Sequence, residues 1–307
     1  MTELVATTQR STTLSLLALL DVQPVDEDVF EGRAPDTGSM RTFGGLVLAQ
    51  ALVAAARTAA DDRPVHSLHA TFLRGADPSR PIRYVVDRTR DGRAFSARTV
   101  SAVQDGRTLL LATTSFHTGE TGLEHEDPPV AVSRPEALPR PRELVAEGDE
   151  VMEAWIQAYV GLHPVDVRFV SEAPPLLARR GPSEPRVQAW ARSTEALPDD
   201  VALHAAAATY VSDLFLLTSA LLPHAVIFGT GDVRGSTLDH SIWFHRPFRA
   251  DEWLLFEQES PWAGSGRAFS RGAIRDIDGR IVASMAQEGL LRRAEREPAE
   301  KDQHGPA

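Results

Sequence analysis

No cysteine occurs in the 307 residues, which removes disulfides, thiolate zinc sites and a cysteine nucleophile together. A cysteine-free composition suits a cytoplasmic protein. Basic residues are also in deficit, 32 Lys and Arg against 43 Asp and Glu, for a net charge of −11. A general affinity for nucleic acid or an anionic membrane is thereby disfavoured, while a local basic patch for one anionic ligand stays open. The chain also lacks a G-x-S-x-G elbow, an H-E-x-x-H pair, a G-x-x-x-x-G-K-[ST] loop and any Cys/His cluster. An α/β-hydrolase is disfavoured, and no metal or organic cofactor is expected. "GTGDVRG" (229–235) has the glycines of a dinucleotide loop but precedes a strand where that motif needs a helix, so it reads as a turn. "TLSLLALLDV" (13–22) lacks a basic flank and an A-x-A site and reads as a first helix rather than a signal peptide. The long apolar run at 201–222 approaches the length of a membrane span. Thr209, Ser212, Asp213, Thr218 and Ser219 interrupt it, so it reads as one buried core helix and no membrane insertion is expected.

What is present is a globular apolar content of 42% and an internal repeat. "RAFSARTVSAVQDGR" (93–107) is echoed by "RAFSRGAIRDIDGR" (267–280), and the surroundings repeat as well. "SLHATFLR" (67–74) and the helix-like "GGLVLAQALVAAARTAA" (44–60) precede the first copy. "TLDHSIWFHR" (237–246) and the 201–222 run precede the second. "TLLLATTSFH" (108–117) and "IVASMAQEGLL" (281–291) follow. Each half thus predicts a first strand, a helix apolar nearly all round, and then several strands with a hairpin at Asp-Gly-Arg. A helix without a polar face must be wrapped by its sheet, an α+β arrangement. Candidate first strands are 27–34 in half one, and 165–173 with 185–193 in half two. The expected organisation is a first half at 1–118, a Pro- and charge-rich linker at 119–150, a second half at 151–296 and a disordered tail at 297–307.

Three polar residues interrupt apolar patterns in the second half. Asp213 is the only formally charged residue between Val201 and Leu222, and burying a carboxylate costs several kcal/mol or raises its pKa. Gln287 falls, by strand alternation, on the face of Ile281, Ala283 and Met285 that meets the helix. Thr237 opens the strand preceding "DHSIWFHRP". Each alone has a structural explanation, such as satisfying a backbone group or pairing with an arginine. His240 and His245 lie on opposite strand faces, so at most one faces the site, and a structural role is expected for it. Trp190, Trp243 and Trp253 read as strand and core packing. Arg74, Arg88, Arg90, Arg93 and Arg98 read by default as a solvated sheet edge.

The stretches "FGGLVLAQAL" (43–52), "VHSLHATFLR" (65–74), "DGRAFSARTV" (91–100), "HAAAATYVSDL" (204–214), "LDHSIWFHRPF" (238–248) and "VASMAQEGLLR" (282–292) resemble the type II acyl-CoA thioesterase family over residues 14–293. The resemblance implies a double hot dog fold, two tandem halves each with a long helix wrapped by an antiparallel sheet. It also implies a water oriented by an Asp, a Ser/Thr and a Gln, positions that fall on Asp213, Thr237 and Gln287. Many members have Gln where Leu46 stands, so a polar role there is lost. The first half offers Gln50 where an acid might stand, implying one active site per chain.

The implied partner is an acyl-CoA, hydrolysed to free fatty acid and coenzyme A in lipid metabolism, and a homo-oligomer (dimer or tetramer) is expected. Two rival readings are a hot-dog enoyl- or hydroxyacyl-thioester hydratase and a non-catalytic acyl-CoA-binding protein. His204 stands on the wrong side of Asp213 and at the wrong spacing for the first. A complete Asp, Thr and Gln set argues against the second.

Overall fold

The structure, a computed structural model, describes residues 15–230 and 232–294. The tail expected at 297–307 lies outside the described residues. Helix α1 (Leu16–Leu20) starts at Ser15, whose hydroxyl accepts from the Ala18 amide. Strands β1 (Gln23–Asp26) and β2 (Val29–Gly32) form a hairpin, and helix α2 (Gly44–Ala56) follows. Four strands complete the first half: β3 (Val65–Phe72), β4 (Ile82–Asp91), β5 (Phe95–Gln104) and β6 (Arg107–His117). The β5–β6 turn places Asp105 and Gly106 at φ +49° and +70°, the left-handed pair that a two-residue hairpin requires.

After a long connection come α3 (Glu150–Ile156), a π-helical turn at 157–161, β7 (Val165–Phe169), α4 (Pro174–Arg180), β8 (Arg186–Ser193) and α5 (Val201–Ser212). Strands β9 (Val233–Thr237), β10 (Asp239–Phe244), β11 (Leu254–Gly264), β12 (Arg267–Arg275) and β13 (Ile281–Arg293) end the described chain. The connection is pinned along the second half: Trp190 Nε1 donates to Ser133 O at 3.0 Å, and the Ile281 amide to Glu126 Oε2 at 3.0 Å.

All thirteen strands join one antiparallel sheet in the order β1-β2-β4-β5-β6-β3-β10-β13-β12-β11-β8-β7, with β9 added on β13. The halves have the same topology, order 2-4-5-6-3 in one and 8-11-12-13-10 in the other, and they meet where β3 pairs with β10, His240 opposite Ala70. Helices α2 and α5 lie against each other inside this double hot dog. Every α2 residue from Gly45 to Ala55 is buried, as expected of a helix without a polar face. Gln50 is absorbed structurally: its amide donates to Leu19 O and Arg33 O and accepts from Tyr84 Oη.

The structure departs from the sequence reading at several points. The helix expected over 201–222 stops at Ser212, and a separate 3-10 segment runs from Leu217 to His224. Thr209 Oγ1 and Ser212 Oγ bond back to the carbonyls of Ala205 and Thr209, a competition that loosens the last turn. Asp213 is therefore the C-cap and not a mid-helix residue. Thr237 closes β9 instead of opening the next strand. Trp243 is 37% exposed on the outer sheet face, and only Trp190 of the three tryptophans belongs to the core. Arg98 is fully buried and spent on the Thr58 hydroxyl, the Asp91 carboxylate and three backbone carbonyls, and Arg88 pairs with Asp28.

Candidate active site

Helix α5 ends against the start of α2, and this junction assembles the site. Asp213, at the C-cap with its backbone still in the right-handed region, turns its carboxylate towards Gly44 and Gly45. A Cβ on Gly44 would come within 2.8 Å of Asp213 Oδ2. Phe43, at the N-cap position, offers no side-chain cap, and the first intrahelical bonds come from the Leu46 and Val47 amides. The Gly44 and Gly45 amides are thus left without helical acceptors at the positive end of α2.

The three residues singled out in the sequence meet here. Thr237 Oγ1 donates to Asp213 Oδ1 at 3.0 Å, and Gln287 Nε2 donates to Thr237 Oγ1 at 3.0 Å. Thr237 reaches the site because β9 pairs with β13, where it lies opposite Gly289, two residues past Gln287. Only 4% of the Asp213 side chain is exposed. Burial pushes its pKa up to about 7, against the opposing pull of Thr237, the Gly45 amide and Gln287.

Behind the trio stands His240, fully buried on β10. Its Nδ1 lies 2.9 Å from Gln287 Oε1 and its Nε2 lies 2.8 Å from Ser212 Oγ. Burial pushes the imidazole down to about 4, so its 4.0 Å approach to Asp213 Oδ1 is not an ion pair at neutral pH. His245 points elsewhere and bonds Ser284 on an exposed surface.

A cavity of about 710 Å³ opens onto Asp213, Thr237 and Gln287. One part of its wall is apolar, with Tyr159, Leu162, Leu214, Leu217 and Phe228. Leu46 lies on the lining at the position where the resemblance led to Gln. Another part carries Arg41 and Arg74, both exposed, neither making a salt bridge among the described residues. Of the five arginines considered in the sequence, Arg74 alone lines this cavity.

This geometry can hold a water against a carboxylate whose pKa is near neutrality, beside an apolar slot and two cations. Two family models match the chain, described as the acyl-CoA thioesterase N-terminal domain over residues 31–117 and C-terminal domain over residues 134–291. The chain belongs to the acyl-CoA thioesterase family. It is 38% identical over 287 residues to acyl-coenzyme A thioesterase 8 of Rattus norvegicus, covering 90% of this chain and 88% of the relative. It is 35% identical over 282 residues to acyl-CoA thioesterase 2 of Haemophilus influenzae, covering 92% and 98%. Among solved structures, an acyl-CoA thioesterase II from Mycobacterium marinum superimposes with a TM-score of 0.74 at 37% identity, over 94% of this chain and all of that one. The type II thioesterase resemblance and the double hot dog are thus both shown, and this member of the family is a thioester hydrolase.

Sequence reasoning missed two parts of this thioesterase's site. One is the paired glycine start of α2, contributed by the half without the carboxylate. The Gly-Gly at 44–45, opening a helix with no capping side chain before it, was the available signal. The other is the contact of His240 with Gln287, which strand alternation allowed and did not require.

Proposed function

We propose that this thioesterase hydrolyses fatty acyl-CoA, with Asp213 as general base and Thr237 and Gln287 orienting the water. A thioester carbonyl is more electrophilic than an ester carbonyl and its thiolate leaves readily, so no covalent nucleophile is needed. The observation that carries the reading is the Gln287–Thr237–Asp213 chain at 3.0 Å per link, facing the cavity. Thr237 occupies Oδ1, which leaves Oδ2, on the Gly44 side, to take the proton of an attacking water. Holding that water by several groups lowers the entropic part of the barrier. With the Gly45 amide directed at Asp213, the Gly44 amide, which has no helical acceptor at the start of α2, supplies a donor where the carbonyl oxygen gains charge. The apolar wall takes the acyl chain, and Arg41 with Arg74 meets coenzyme A phosphates at the mouth. A homo-oligomer is supported by apolar residues on the outer sheet face, Val85, Leu111 and Trp243.

Thiol release from a chain-length series of acyl-CoAs, run on wild type and Asp213→Asn together, tests the mechanism. The variant is expected to fold and to lose about 10²–10⁴ in kcat, the range of one acid–base group. Near-normal turnover would remove Asp213 from the chemistry.

A further inference from the structure

The mechanism above leaves His240 unused, a buried titratable group in direct contact with the trio. His240 is sealed from solvent, does not reach the cavity lining, and has both ring nitrogens engaged, so it is poorly placed to exchange protons with substrate or water. Its partners nevertheless constrain it tightly. With Gln287 Nε2 donating to Thr237, the only Gln287 atom left for His240 is the carbonyl Oε1, which can only accept. Nδ1 must then carry the proton. A neutral ring with Nδ1–H needs a donor at Nε2, and Ser212, 2.8 Å away, can turn its one hydroxyl proton there from the Thr209 carbonyl, which lies at the same distance.

Five groups are thereby ordered head to tail: Ser212 to His240, His240 to Gln287, Gln287 to Thr237, Thr237 to Asp213. Every proton in the row points toward the carboxylate. The opposite polarity is also self-consistent, with Gln287 flipped and His240 protonated on Nε2. Ser212 would then give its proton to the Thr209 carbonyl, itself 2.8 Å away. That reversed row ends with Thr237 donating to Gln287, and it is complete only if Asp213 carries a proton to give to Thr237. The forward row fits the base. The reversed row fits the spent acid.

We propose that His240 is a positioning residue for the hydrolysis: held by Ser212 as the Nδ1–H tautomer, it fixes the Gln287 amide in the one orientation that aims Thr237 at Asp213. Loss of the ring frees Gln287 to flip, after which the Thr237 hydroxyl proton is shared between Gln287 Oε1 and Asp213. The water is then held less well, while the cavity and the mouth are unchanged. The effect belongs in kcat and not in KM. The proposal rests on the Asp213 mechanism.

The test compares His240→Leu, His240→Asn, Gln287→Ala and the double variant His240→Leu/Gln287→Ala, with thermal melting to establish folding. His240→Leu is expected to lower kcat by roughly 10- to 100-fold with KM within about twofold, as the water's partners lose their fixed orientation. His240→Asn keeps an amide N–H near the place of Nδ1 and is expected to restore kcat to within about fivefold of wild type. The double variant should be no more than about twofold slower than Gln287→Ala, because the two act as one unit. A folded His240→Leu at wild-type kcat, a His240→Asn as slow as the leucine variant, or multiplicative losses in the double variant would each overturn the proposal. Gln287→Ala at wild-type kcat would overturn the catalytic reading itself, and this one with it. Should the leucine variant not fold, nitrogen-15 NMR of the wild-type imidazole decides: Nδ1–H above pH 8 is expected, and Nε2–H overturns the assignment.

Discussion

Asp213 concentrates the conflict between stability and chemistry in one side chain. Its carboxyl pKa rises from 3.8 to about 7 on folding, so the native state holds a proton that the unfolded chain has already released. Stability from this group is whole below pH 3.8 and is lost as pH climbs through about 7. A rise of roughly three units corresponds to about 4 kcal/mol of folding free energy withheld at pH 8. Asp213→Asn removes that penalty but turns an amide N–H towards the Gly45 amide, so 4 kcal/mol is an upper figure. Thermal melts at pH 5 and pH 8 are expected to show the variant gaining more on wild type at the higher pH, because the penalty grows from pH 3.8 to about 7. An equal offset at both pH values would mean that the carboxyl is not shifted. The same shift sets the rate: kcat/KM should climb about tenfold per pH unit up to roughly pH 7 and then level, as an essential base becomes ionised. A limb ending near pH 4 would place the base elsewhere. The type of this residue was legible in the sequence as a polar break in an apolar pattern, as were Thr237 and Gln287, while their company was implied by the family resemblance. Its setting was not, because helix propensity reads straight through the Thr209 and Ser212 back-bonds that end α5.

At the scale of elements, the site depends on close approach between a helix start and a helix end. Gly44 is the point of contact, where an added methyl would stand 2.8 Å from Asp213 Oδ2 and 3.4 Å from the Phe72 ring. A carboxylate at the end of its side chain can swing aside cheaply, so Gly44→Ala should melt close to wild type. Its kcat should fall by about tenfold or more, since displacements near 1 Å cost rate steeply. Paired melting and turnover curves check this, and unchanged kcat would mean that Oδ2 does not face the reacting water. Gly272 on β12 behaves in the opposite way. Its Cβ would meet the backbone carbonyl of Glu257 at 2.1 Å, and a paired strand cannot swing aside. Gly272→Ala should therefore cost at least about 1–3 kcal/mol, the usual price of overpacking, visible as a lower denaturation midpoint. A midpoint equal to wild type would mean that β11 and β12 sit farther apart. Strands were more legible than helix ends: alternation and Asp-Gly turns located β5, β6, β12 and β13, whereas the β9 pairing that delivers Thr237 is a long-range contact that no local pattern encodes.

At the scale of the molecule, the repeat made the fold readable before any contact was known. Two copies of one strand pattern around two all-apolar helices leave few arrangements, and the mirrored strand orders are what such a repeat requires. Sequence similarity between the halves nonetheless hides their division of labour. Half two brings Asp213, Thr237 and Gln287, while half one brings the Gly44–Gly45 start and its share of the cavity. The halves also cover each other, through α2 on α5 and through the β3–β10 seam. Separation would expose two apolar helices and leave two long strand edges unpaired, a route to aggregation. The exposed chain around Gly122 has no regular structure and is a place to divide the protein without cutting an element. Fragments 1–122 and 123–307 expressed apart are expected to be insoluble or inert in thiol release, and co-expression to return activity with both fragments in one particle. Hydrolysis by fragment 123–307 alone would show that the α2 start is dispensable, and with it the oxyanion donor assigned to the first half.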